Sequence, residues 1–520
     1  MSIVFVNVDD AYIRDLAVEL LSNDTPITHL ITTDIEGLSK IQDSHSVNVI
    51  DSNLLYQADS VASLKNTQED MPFVGWFEEM ASCESMFLSI TDSYSFFPLS
   101  VRKRKKLFRN LCLYWNALLR SNSVSHIFFP YSPSQGWDTV LYSVAKTLNI
   151  KTTVLVRTSI QDRVLLLNNF RMMSKVPLDY LHAEASDSIQ RSLGADLCTA
   201  LKEESSWVEY SNKRNCNVLG KDSSQHSLKN RCISFFKSVV KGLCETVKRV
   251  TTISTKKEFK SKAALSMNSK SVNWSLYLVY FFSLFRIRKL KSYYDEHSQP
   301  LNTERAYVYF ALHNDPGRTT QPEGGVFEDQ YLAISMLSQS LPEGWILYVK
   351  EHPRQFETSY ESIKQTHYRS SNDYDELLKL ENVHLLSMDC SRNSVISQAS
   401  LVATITGSVG WQALNLGKPC ITFGYPWYSA CNSCYIVESV DDCRVLFNVI
   451  SELSQAEVKR DVLRFVSYIN DQLVIGSSRK IFAEMSPRLY GELVSNLAIA
   501  MNAIFSNTQI RLEESDGSQK

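Results

Sequence analysis

The amino-acid sequence predicts an α/β fold built from two Rossmann-like domains. Strand-like and helical segments alternate along both halves of the chain, a pattern typical of parallel βαβ units with right-handed crossovers. The chain has 520 residues, and at roughly 150 residues per domain this length indicates two to four domains rather than one core. The composition, 44% hydrophobic and 21% charged, is that of a globular protein and excludes a largely disordered chain.

The second half of the chain shows the alternation most clearly. Apolar runs rich in β-branched and aromatic residues are separated by segments with helical periodicity. The predicted strands are 306–312, 345–350, 383–387, 401–405 and 420–423. The predicted helices are 327–341, 356–365, a short one near Val395, and 409–416. Together these elements predict one Rossmann-like domain.

The first half repeats the pattern with longer gaps. The predicted strands are 3–8, 29–33, 47–50, 126–129 and 152–156. The predicted helices are 11–21, a basic one over 101–119, and 137–148. We therefore divide the chain into an N-terminal domain (1–210), a basic connector (211–300), a C-terminal domain (301–475), and C-terminal helices with a flexible tail (476–520).

Charge and cysteine usage narrow the classes of function. The net charge of −2 and the absence of a matching motif argue against nucleic acid as a partner. The 11 cysteines are scattered, which fits a reducing compartment, and Cys431 and Cys434 of the single CxxC are expected to be buried thiols rather than metal ligands. The N-terminus resembles a first strand rather than a signal peptide, and the apolar run 274–285 is too short to span a bilayer. We expect a cytoplasmic protein, with peripheral attachment to the inner face of the cytoplasmic membrane left open.

Three loops that follow strands of the second domain carry the candidate ligand-binding residues. Ligands of doubly wound sheets bind beyond the carboxyl ends of the strands. His313 and Arg318 lie in the first loop, where the arginine can bind a phosphate or carboxylate in bidentate fashion. Lys350, His352 and Pro353 follow the second strand, and a proline at the start of a helix leaves free N–H groups for an anion.

The third loop, 404–412, combines small hydroxyl residues with glycine. Thr406, Gly407 and Ser408 let backbone amides close on a phosphate at a helix N-terminus, and Gln412 follows on the helix. Each loop also has an ordinary explanation: a capping histidine, a histidine bonded to a carbonyl, or structural N-capping. Their occurrence at three strand ends of one sheet favours a phosphate-bearing ligand.

These segments resemble bacterial capsule and O-antigen biosynthesis transferases. The resemblance lies in Tyr307 to His313, Gln321-Pro322-Glu323, Lys350-Glu351-His352-Pro353, Thr406 to Trp411, Gly417-Lys418-Pro419 and Phe423-Gly424. More narrowly, the chain resembles GT-B enzymes that transfer Kdo and related nonulosonic acids from CMP-sugars, and the His-Pro pair is similar to that of bacterial GT-B sialyltransferases. The resemblance is specific over about 300–430.

The resemblance implies a GT-B architecture, in which the two domains face a cleft, and a metal-independent reaction. The donor would be a CMP-sugar bound by the second domain, and the acceptor an oligosaccharide or a lipid-linked glycan. Relatives often carry an acid just after the residue equivalent to Trp411, where it can bind a ribose hydroxyl. This chain has Gln412 there, so the identity of the donor stays open.

The catalytic residues are less defined than the donor loops. His352 is expected to donate a hydrogen bond or a proton to the departing phosphate. Asp138, after the loop 130–137, is a candidate general base or nucleophile, and a structural charge at the N-terminus of its helix is an equal alternative. Glu323 is a third candidate, and Asp162-Arg163 a further one.

The sequence therefore predicts a glycosyltransferase of capsule or O-antigen synthesis. Rival hypotheses are a UDP-sugar hexosyltransferase, a sugar-nucleotide 2-epimerase of the same fold, and a non-catalytic polysaccharide assembly subunit. The epimerase is disfavoured because a Gly-Thr-Arg-Pro-like loop usually follows its first strand, where this chain has Asn7-Val8-Asp9-Asp10.

The basic stretch 229–291 has two interpretations. It holds 15 Lys and Arg against Glu245 and Glu258, a local charge of +13, interleaved with aromatic residues. Such a segment suits an anionic membrane surface, where each cation contributes about 1 kcal/mol. The alternative is a solvated connector whose aromatic residues pack on the two domains.

Overall fold

The computed structural model describes residues 2–57, 60–61, 74–93, 100–170, 274–357, 368–450 and 453–506. Its strands are β1 Ile3–Phe5, β2 Ile27–Thr32, β3 Asn48–Asp51, β4 His126–Phe129, β5 Lys151–Arg157, β6 Arg163–Leu167, β7 Tyr307–Ala311, β8 Ile346–Lys350, β9 Val383–Leu385, β10 Leu401–Thr404, β11 Cys420–Thr422, β12 Cys434–Ile436 and β13 Val474–Ile475. Its α-helices are α1 Ala11–Ser22, α2 Ile35–Ser44, α3 Val74–Glu79, α4 Ala81–Ser93, α5 Val101–Ser121, α6 Trp137–Thr147, α7 Trp274–His297, α8 Gln330–Ser340, α9 Ser371–Leu378, α10 Arg392–Gln398, α11 Ser408–Asn415, α12 Val440–Ile450, α13 Gln455–Ile469, α14 Lys480–Glu484 and α15 Tyr490–Phe505.

Among the described residues, the first sheet has seven strands in the order β13-β6-β5-β4-β1-β2-β3. Pairing is parallel among β5, β4, β1, β2 and β3. Strands β6 and β13, at one end of the sheet, are antiparallel to their neighbours. One face packs on α3 to α6 through an apolar cluster that includes Trp115 and Trp137. The other face packs on α1 and α15. A sheet covered by helices on both faces is the Rossmann-like arrangement predicted from the sequence.

In the part of the chain that the structure describes, the second sheet has six strands, all parallel, in the order β12-β11-β10-β7-β8-β9. Its central strand β7 is apolar at consecutive positions because both of its faces are buried. Helices α8, α9 and α12 cover one face, together with Tyr294 of α7, and α10 and α11 cover the other. The α/β fold class with two parallel-dominated sheets is therefore confirmed.

The two sheets are joined by a shared apolar cluster and by the returning C-terminal chain. Leu165 and Leu167 of β6 pack with Trp411 of α11 and with Phe465 of α13. After α13 the chain adds β13 to the edge of the first sheet. The hydroxyl of Tyr12 then donates to the Leu493 carbonyl of α15 at 2.8 Å. The C-terminal helices thus complete the first domain rather than extend the second.

Several elements differ from the sequence prediction. The sequence analysis did not predict β6 or β13, which are short and lie at the antiparallel edge. Helix α8 begins at Gln330, capped by Asp329, after a 3₁₀ turn over Gly325–Glu328. The helix predicted over 356–365 lies mostly outside the described residues, and Phe356 ends a 3₁₀ turn, Pro353–Phe356.

The basic stretch falls largely on residues that the structure does not describe, and only its end, in α7, is described. Within the described parts of the chain, no helix combines the length and the apolar character needed to cross a bilayer. Tyr294 anchors α7 to the second domain, because its hydroxyl donates to the Leu386 carbonyl at 2.6 Å.

Candidate functional site

His313 forms hydrogen bonds with two of the three predicted loops and so links them. Its Nδ1 lies 2.9 Å from the Thr319 hydroxyl, and its Nε2 lies 3.0 Å from the Thr404 hydroxyl at the end of β10. The Thr406 amide also donates to Nε2, so the ring proton lies on Nδ1. Burial lowers the pKa of His313 to about 4 and keeps the ring neutral. Both nitrogens are occupied, so His313 orders the loops and would contact a ligand only by breaking one of these bonds.

Part of the backbone of the loop after β10 is engaged in hydrogen bonds around His313. The Gly407 amide donates to the Thr404 hydroxyl at 3.2 Å, and the Thr406 hydroxyl donates to the Thr319 carbonyl at 2.9 Å. The amides of Thr406 and Gly407 are therefore engaged within the protein, unlike the open phosphate cradle that the sequence suggested. No partner of the Ser408 hydroxyl is found among the described residues, and this hydroxyl opens α11. The loop's ligand-binding capacity thus rests on Ser408 and the first amides of α11.

Glycine is required here by close approach rather than by backbone angle. A Cβ on Gly407 would come 2.6 Å from the Thr404 hydroxyl, and a Cβ on Gly410 would overlap the Tyr428 hydroxyl. That hydroxyl donates to the Gly407 carbonyl and so fixes the loop from the side of β11.

His352 is held in a single tautomer at the end of β8. Its Nδ1 accepts from the Arg354 amide at 3.2 Å, so the ring proton lies on Nε2. Burial lowers the pKa of His352 to about 3, and the positive charge of Arg392 lowers it further. Across the described parts of the chain no protein group bonds Nε2. His352 therefore offers a neutral N–H donor, and Pro353 starts a 3₁₀ turn.

Arg392 is a candidate ligand-binding residue that sequence reasoning missed. It begins α10, past the carboxyl end of β9, close enough to His352 to depress its pKa. No ion pair to its guanidinium occurs within the described residues. This loop follows the third strand of the second sheet, and its position at a strand end is itself a signal that could have been used.

Lys350 is committed to the protein framework. Its ammonium donates to the Cys390 carbonyl in the loop before α10, and burial lowers its pKa to about 8. Its predicted role in donor binding stays a prediction, and the contact shows that it tethers the loop that carries Arg392.

A buried ionic triad lies beneath the first two loops and was not predicted. Arg369 is 3.0 Å from the Asp315 carboxylate and 3.0 Å from the Glu351 carboxylate. Glu351 also accepts from the Tyr374 hydroxyl at 2.7 Å and from the His352 amide at 2.7 Å. Burial raises the pKa of both carboxyl groups, and Arg369 opposes that rise. The triad fixes the backbone from which His352 projects.

The first loop also reaches the N-terminal domain. Arg318 pairs with Glu323 at 3.2 Å and lies over the ring of Tyr131 at 5.6 Å. Glu323 accepts from the Ser132 hydroxyl at 2.7 Å. The predicted catalytic candidate Glu323 is thus a bridge between the domains, and its catalytic role stays a prediction.

Asp138 lies under the loop that precedes α6 and is fully buried. Its carboxylate accepts from the Gln135 amide at 2.7 Å, the Ser134 amide at 3.3 Å and the Asn7 side chain at 3.1 Å. Burial raises its pKa to about 6. This geometry matches the structural alternative, a charge that orders the N-terminus of its helix, and brings no oxygen of Asp138 to the surface.

Asp162 and the pair Cys431 and Cys434 also contact other parts of the protein framework. Asp162 accepts from the Ser486 hydroxyl at 2.7 Å, which ties the turn after β5 to the C-terminal helices. Cys431 and Cys434 are buried in the apolar cluster around Trp411. Within the described residues, no group of three or more potential ligands is arranged to hold a metal ion.

Gln412 stands out because its side-chain amide is buried without a partner. Neither its Nε2 nor its Oε1 has a hydrogen-bond partner in the described structure. It lies one helical turn after Ser408 on α11, so the two side chains share a face. An unsatisfied buried amide costs about 1–3 kcal/mol, and such groups are commonly satisfied by a bound ligand or an ordered water.

Comparison with known proteins finds a family segment that includes the second and third candidate loops, whereas the first loop lies before it. Residues 325–431 match the family model "Capsule polysaccharide biosynthesis protein". A stretch of 54 residues is 39% identical to the capsule polysaccharide modification protein LipA of Neisseria meningitidis, in two strains. This stretch is 10% of the chain and only 8% of the length of those curated relatives.

Solved structures give weaker likenesses. The β-Kdo 2,7 transferase KpsC of Thermosulfurimonas dismutans is 10% identical with a TM-score of 0.29, over 75% of this chain and 90% of that one. The UDP-GlcNAc 2-epimerase of Neisseria meningitidis is 11% identical with a TM-score of 0.24, over 93% and 99%. Values this low do not distinguish a transferase from an epimerase. The resemblance to bacterial capsule polysaccharide biosynthesis proteins is confirmed by the sequence matches, with the family segment at 325–431.

Proposed function

We propose that the protein is a glycosyltransferase of capsule or O-antigen synthesis that transfers a Kdo-like sugar from a CMP-sugar donor to a glycan acceptor. The observation that carries the proposal is His352, a neutral imidazole whose Nε2 proton is fixed and has no partner within the described residues. Such a donor stabilises negative charge as it develops on a departing phosphate.

The charge state of His352 defines its role more closely. With a pKa of about 3, the imidazolium is not populated near neutral pH, so His352 acts as a hydrogen-bond donor rather than as a general acid. Arg392 supplies a positive charge beside it. The triad of Asp315, Arg369 and Glu351 holds the strand end in place, which limits reorganisation during the reaction.

The nucleotide half of the donor is assigned to the face of α11. Ser408 and Gln412 lie one turn apart on that helix, and the unpartnered amide of Gln412 has both a donor and an acceptor to offer. A ribose hydroxyl or a cytosine edge can satisfy both groups at once. Gln412 therefore replaces the acid of related enzymes by a neutral group with two-way hydrogen bonding.

Attachment to an anionic membrane belongs to the same proposal. The described end of the basic stretch, in α7, exposes Phe282 to 60% and also exposes Arg286 and Lys289. These three positions follow each other at helical spacing and form one aromatic and basic stripe. A lipid-linked acceptor would be delivered at such a surface.

Titration of the full chain with CMP, UDP and CDP tests the proposal. We expect CMP to bind, and Gln412→Ala to weaken that binding by roughly tenfold or more, the loss expected for a buried hydrogen-bonding amide. Release of CMP from CMP-Kdo in the presence of an acceptor panel tests transfer. Binding of UDP without CMP would replace this proposal by a hexosyltransferase or an epimerase, and binding of CMP without turnover would indicate an assembly subunit.

A further inference from the structure

Helix α5 carries a one-sided surplus of positive charge. Its sequence from Val101 to Ser121 contains seven Lys and Arg residues and no Asp or Glu. A solvated helix usually mixes both signs of charge, which form stabilising pairs three or four positions apart. Five of the cations are exposed near the N-terminus of the helix and form what is called here the basic face of α5: Arg102, Lys103, Lys105, Lys106 and Arg109.

The position of the basic face is electrostatically unfavourable. The N-terminus of a helix is the positive end of its dipole, so cations nearby lower the stability of the helix and anions nearby raise it. Arg102, Lys103 and Arg109 form no ion pair within the described parts of the chain. Lys105 lies 3.6 Å from Glu84, and 50% of its side chain stays exposed. An external anion would therefore relieve both the repulsion among the cations and their repulsion by the dipole.

The opposite side of α5 holds the basic face in place. Leu107 and Phe108 are buried in the apolar cluster of the first domain. The ring of Phe108 packs on Phe87 of α4, with the ring centroids 5.5 Å apart. Arg102 and Arg109 are seven positions apart, about two helical turns, and so project from the same side of the helix, away from the apolar stripe. The basic face is thus presented by a helix that is anchored along its length.

An exposed apolar residue adjoins the basic face. Val101, the first residue of α5, is 51% exposed. In the sequence it follows an apolar and aromatic segment, 94–99, which lies outside the described residues. Cations beside an exposed apolar side chain are typical of surfaces that bind anionic bilayers, because the headgroups attract the cations and the interface takes up the apolar group. A nucleic-acid backbone would contact the cations alone.

Contacts through α4 connect the basic face to the junction of the two domains. Arg104, on the inner side of α5, donates to the Leu88 carbonyl of α4 at 2.8 Å. The next residue of α4, Ser89, donates to Glu328 of the second domain at 3.2 Å. Ser89 also accepts from the side chain of Gln321, in the loop after β7, at 3.0 Å. The basic face therefore lies near the first candidate loop.

We propose that the basic face of α5 docks the first domain on an anionic phospholipid bilayer. This surface is separate from the aromatic and basic stripe of α7, a helix that Tyr294 anchors to the second domain. The inference rests on the proposed function, because a lipid-linked acceptor would then be delivered beside the junction of the two domains. One attachment point on each domain would also orient the cleft toward the membrane.

Binding of the full chain to vesicles tests the inference. The probes are vesicles of phosphatidylcholine alone and vesicles that also contain phosphatidylglycerol. A triple variant with Arg102→Gln, Lys103→Gln and Arg109→Gln should bind the anionic vesicles about a hundredfold more weakly than wild type, at about fivefold for each cation. Added salt should weaken the binding of the wild type, because it screens the charges.

The matched control removes two arginines and one lysine from exposed positions on α12 and α13: Arg444→Gln, Lys459→Gln and Arg460→Gln. Equal weakening in this control would reveal a net-charge effect and overturn the inference. Unchanged vesicle binding in the α5 variant would also overturn it and would assign docking to the basic stretch 229–291. A variant with Arg102→Lys and Arg109→Lys keeps the charge and should bind as the wild type does.

Three further measurements on the same proteins separate the alternatives. The thermal transition of the α5 triple variant should not fall, because loss of cations near a helix N-terminus removes an unfavourable interaction with the dipole. Binding of an oligonucleotide, but of no vesicle, would make the basic face a nucleic-acid surface and overturn the inference. CMP binding should be unchanged in the variant. Its absence in the wild type would count against the proposed function and not against docking.

Discussion

Removal of the Arg369 guanidinium is expected to destabilise the second domain strongly. Arg369 lies 3.0 Å from each of two buried carboxylates, Asp315 and Glu351, and Arg369→Met would leave both without their cation. Breaking a buried ion pair in this way costs about 3–5 kcal/mol. At about 2–4 °C per kcal/mol for a domain of this size, the thermal transition should fall by roughly 6–20 °C.

The pH dependence separates this mechanism from a simple packing defect. Burial raises the pKa of both carboxyl groups in the folded protein, and loss of Arg369 raises it further. A raised carboxyl pKa gives stability that is present at low pH and lost as the pH rises through the folded-state pKa. The deficit of Arg369→Met relative to wild type should therefore be larger at about pH 7.5 than at about pH 5.5.

Thermal unfolding followed by circular dichroism measures both effects. Arg444→Met is the matched control, because its side chain is 59% exposed and its partner Asp441 is 85% exposed. That change should cost no more than about 0.5 kcal/mol. A deficit in Arg369→Met of similar size to the control, or one that does not depend on pH, would refute the assignment of the triad as a stabilising core.

Three further predictions test the donor-side loops and the basic stretch. Gly410→Ala should destabilise by about 1–3 kcal/mol, because its Cβ would overlap the Tyr428 hydroxyl, whereas Gly491→Ala, with open space around it, should be neutral or stabilising in the same denaturation assay. His352→Ala should lower transfer by about 10²–10⁴-fold, and the wild-type rate should show no inflection from His352 between about pH 5 and pH 8; an inflection that disappears in the variant would contradict a neutral donor. Changing six cations of the basic stretch to serine should weaken sedimentation with anionic liposomes, in a salt-dependent manner, without altering the thermal transition; equal sedimentation of both proteins would make the stretch a plain connector. The six positions are Lys248, Arg249, Lys256, Lys257, Lys260 and Lys262.

The sequence predicted most strands of both sheets and the positions of the candidate loops because both depend on local patterns. Consecutive apolar runs mark buried parallel strands, and a loop after such a strand lies at the ligand-binding edge wherever the strand is placed. The hydrogen bonds within the loops could not be predicted in this way. His313 and Thr404 are 91 residues apart, and their contact decides which amides remain available.

The same dependence on long-range contacts explains why Arg369 was missed and why two roles of Asp138 were left open. Arg369 carries no local signal, since its importance arises only when Asp315 and Glu351 are folded around it. Asp138 carries a strong local signal, an acid at the start of a helix after a strand, but that signal is shared by capping residues and catalytic acids. Burial separates the two, and burial is a property of the whole fold.

The contrast between the charged groups of the triad and the neutral groups of the candidate site indicates how catalysis would work. At the strand ends of the second sheet the carboxyl groups of Asp315 and Glu351 are committed to the triad around Arg369. The groups left for a ligand include the neutral donors of His352, Ser408 and Gln412. Neutral, fixed donors stabilise charge that develops on a leaving phosphate without a proton transfer of their own. Arg392 adds a positive charge near His352, where it can attract an anionic donor. The rate would then depend on how the donor is placed against these fixed groups more than on the titration of any single residue.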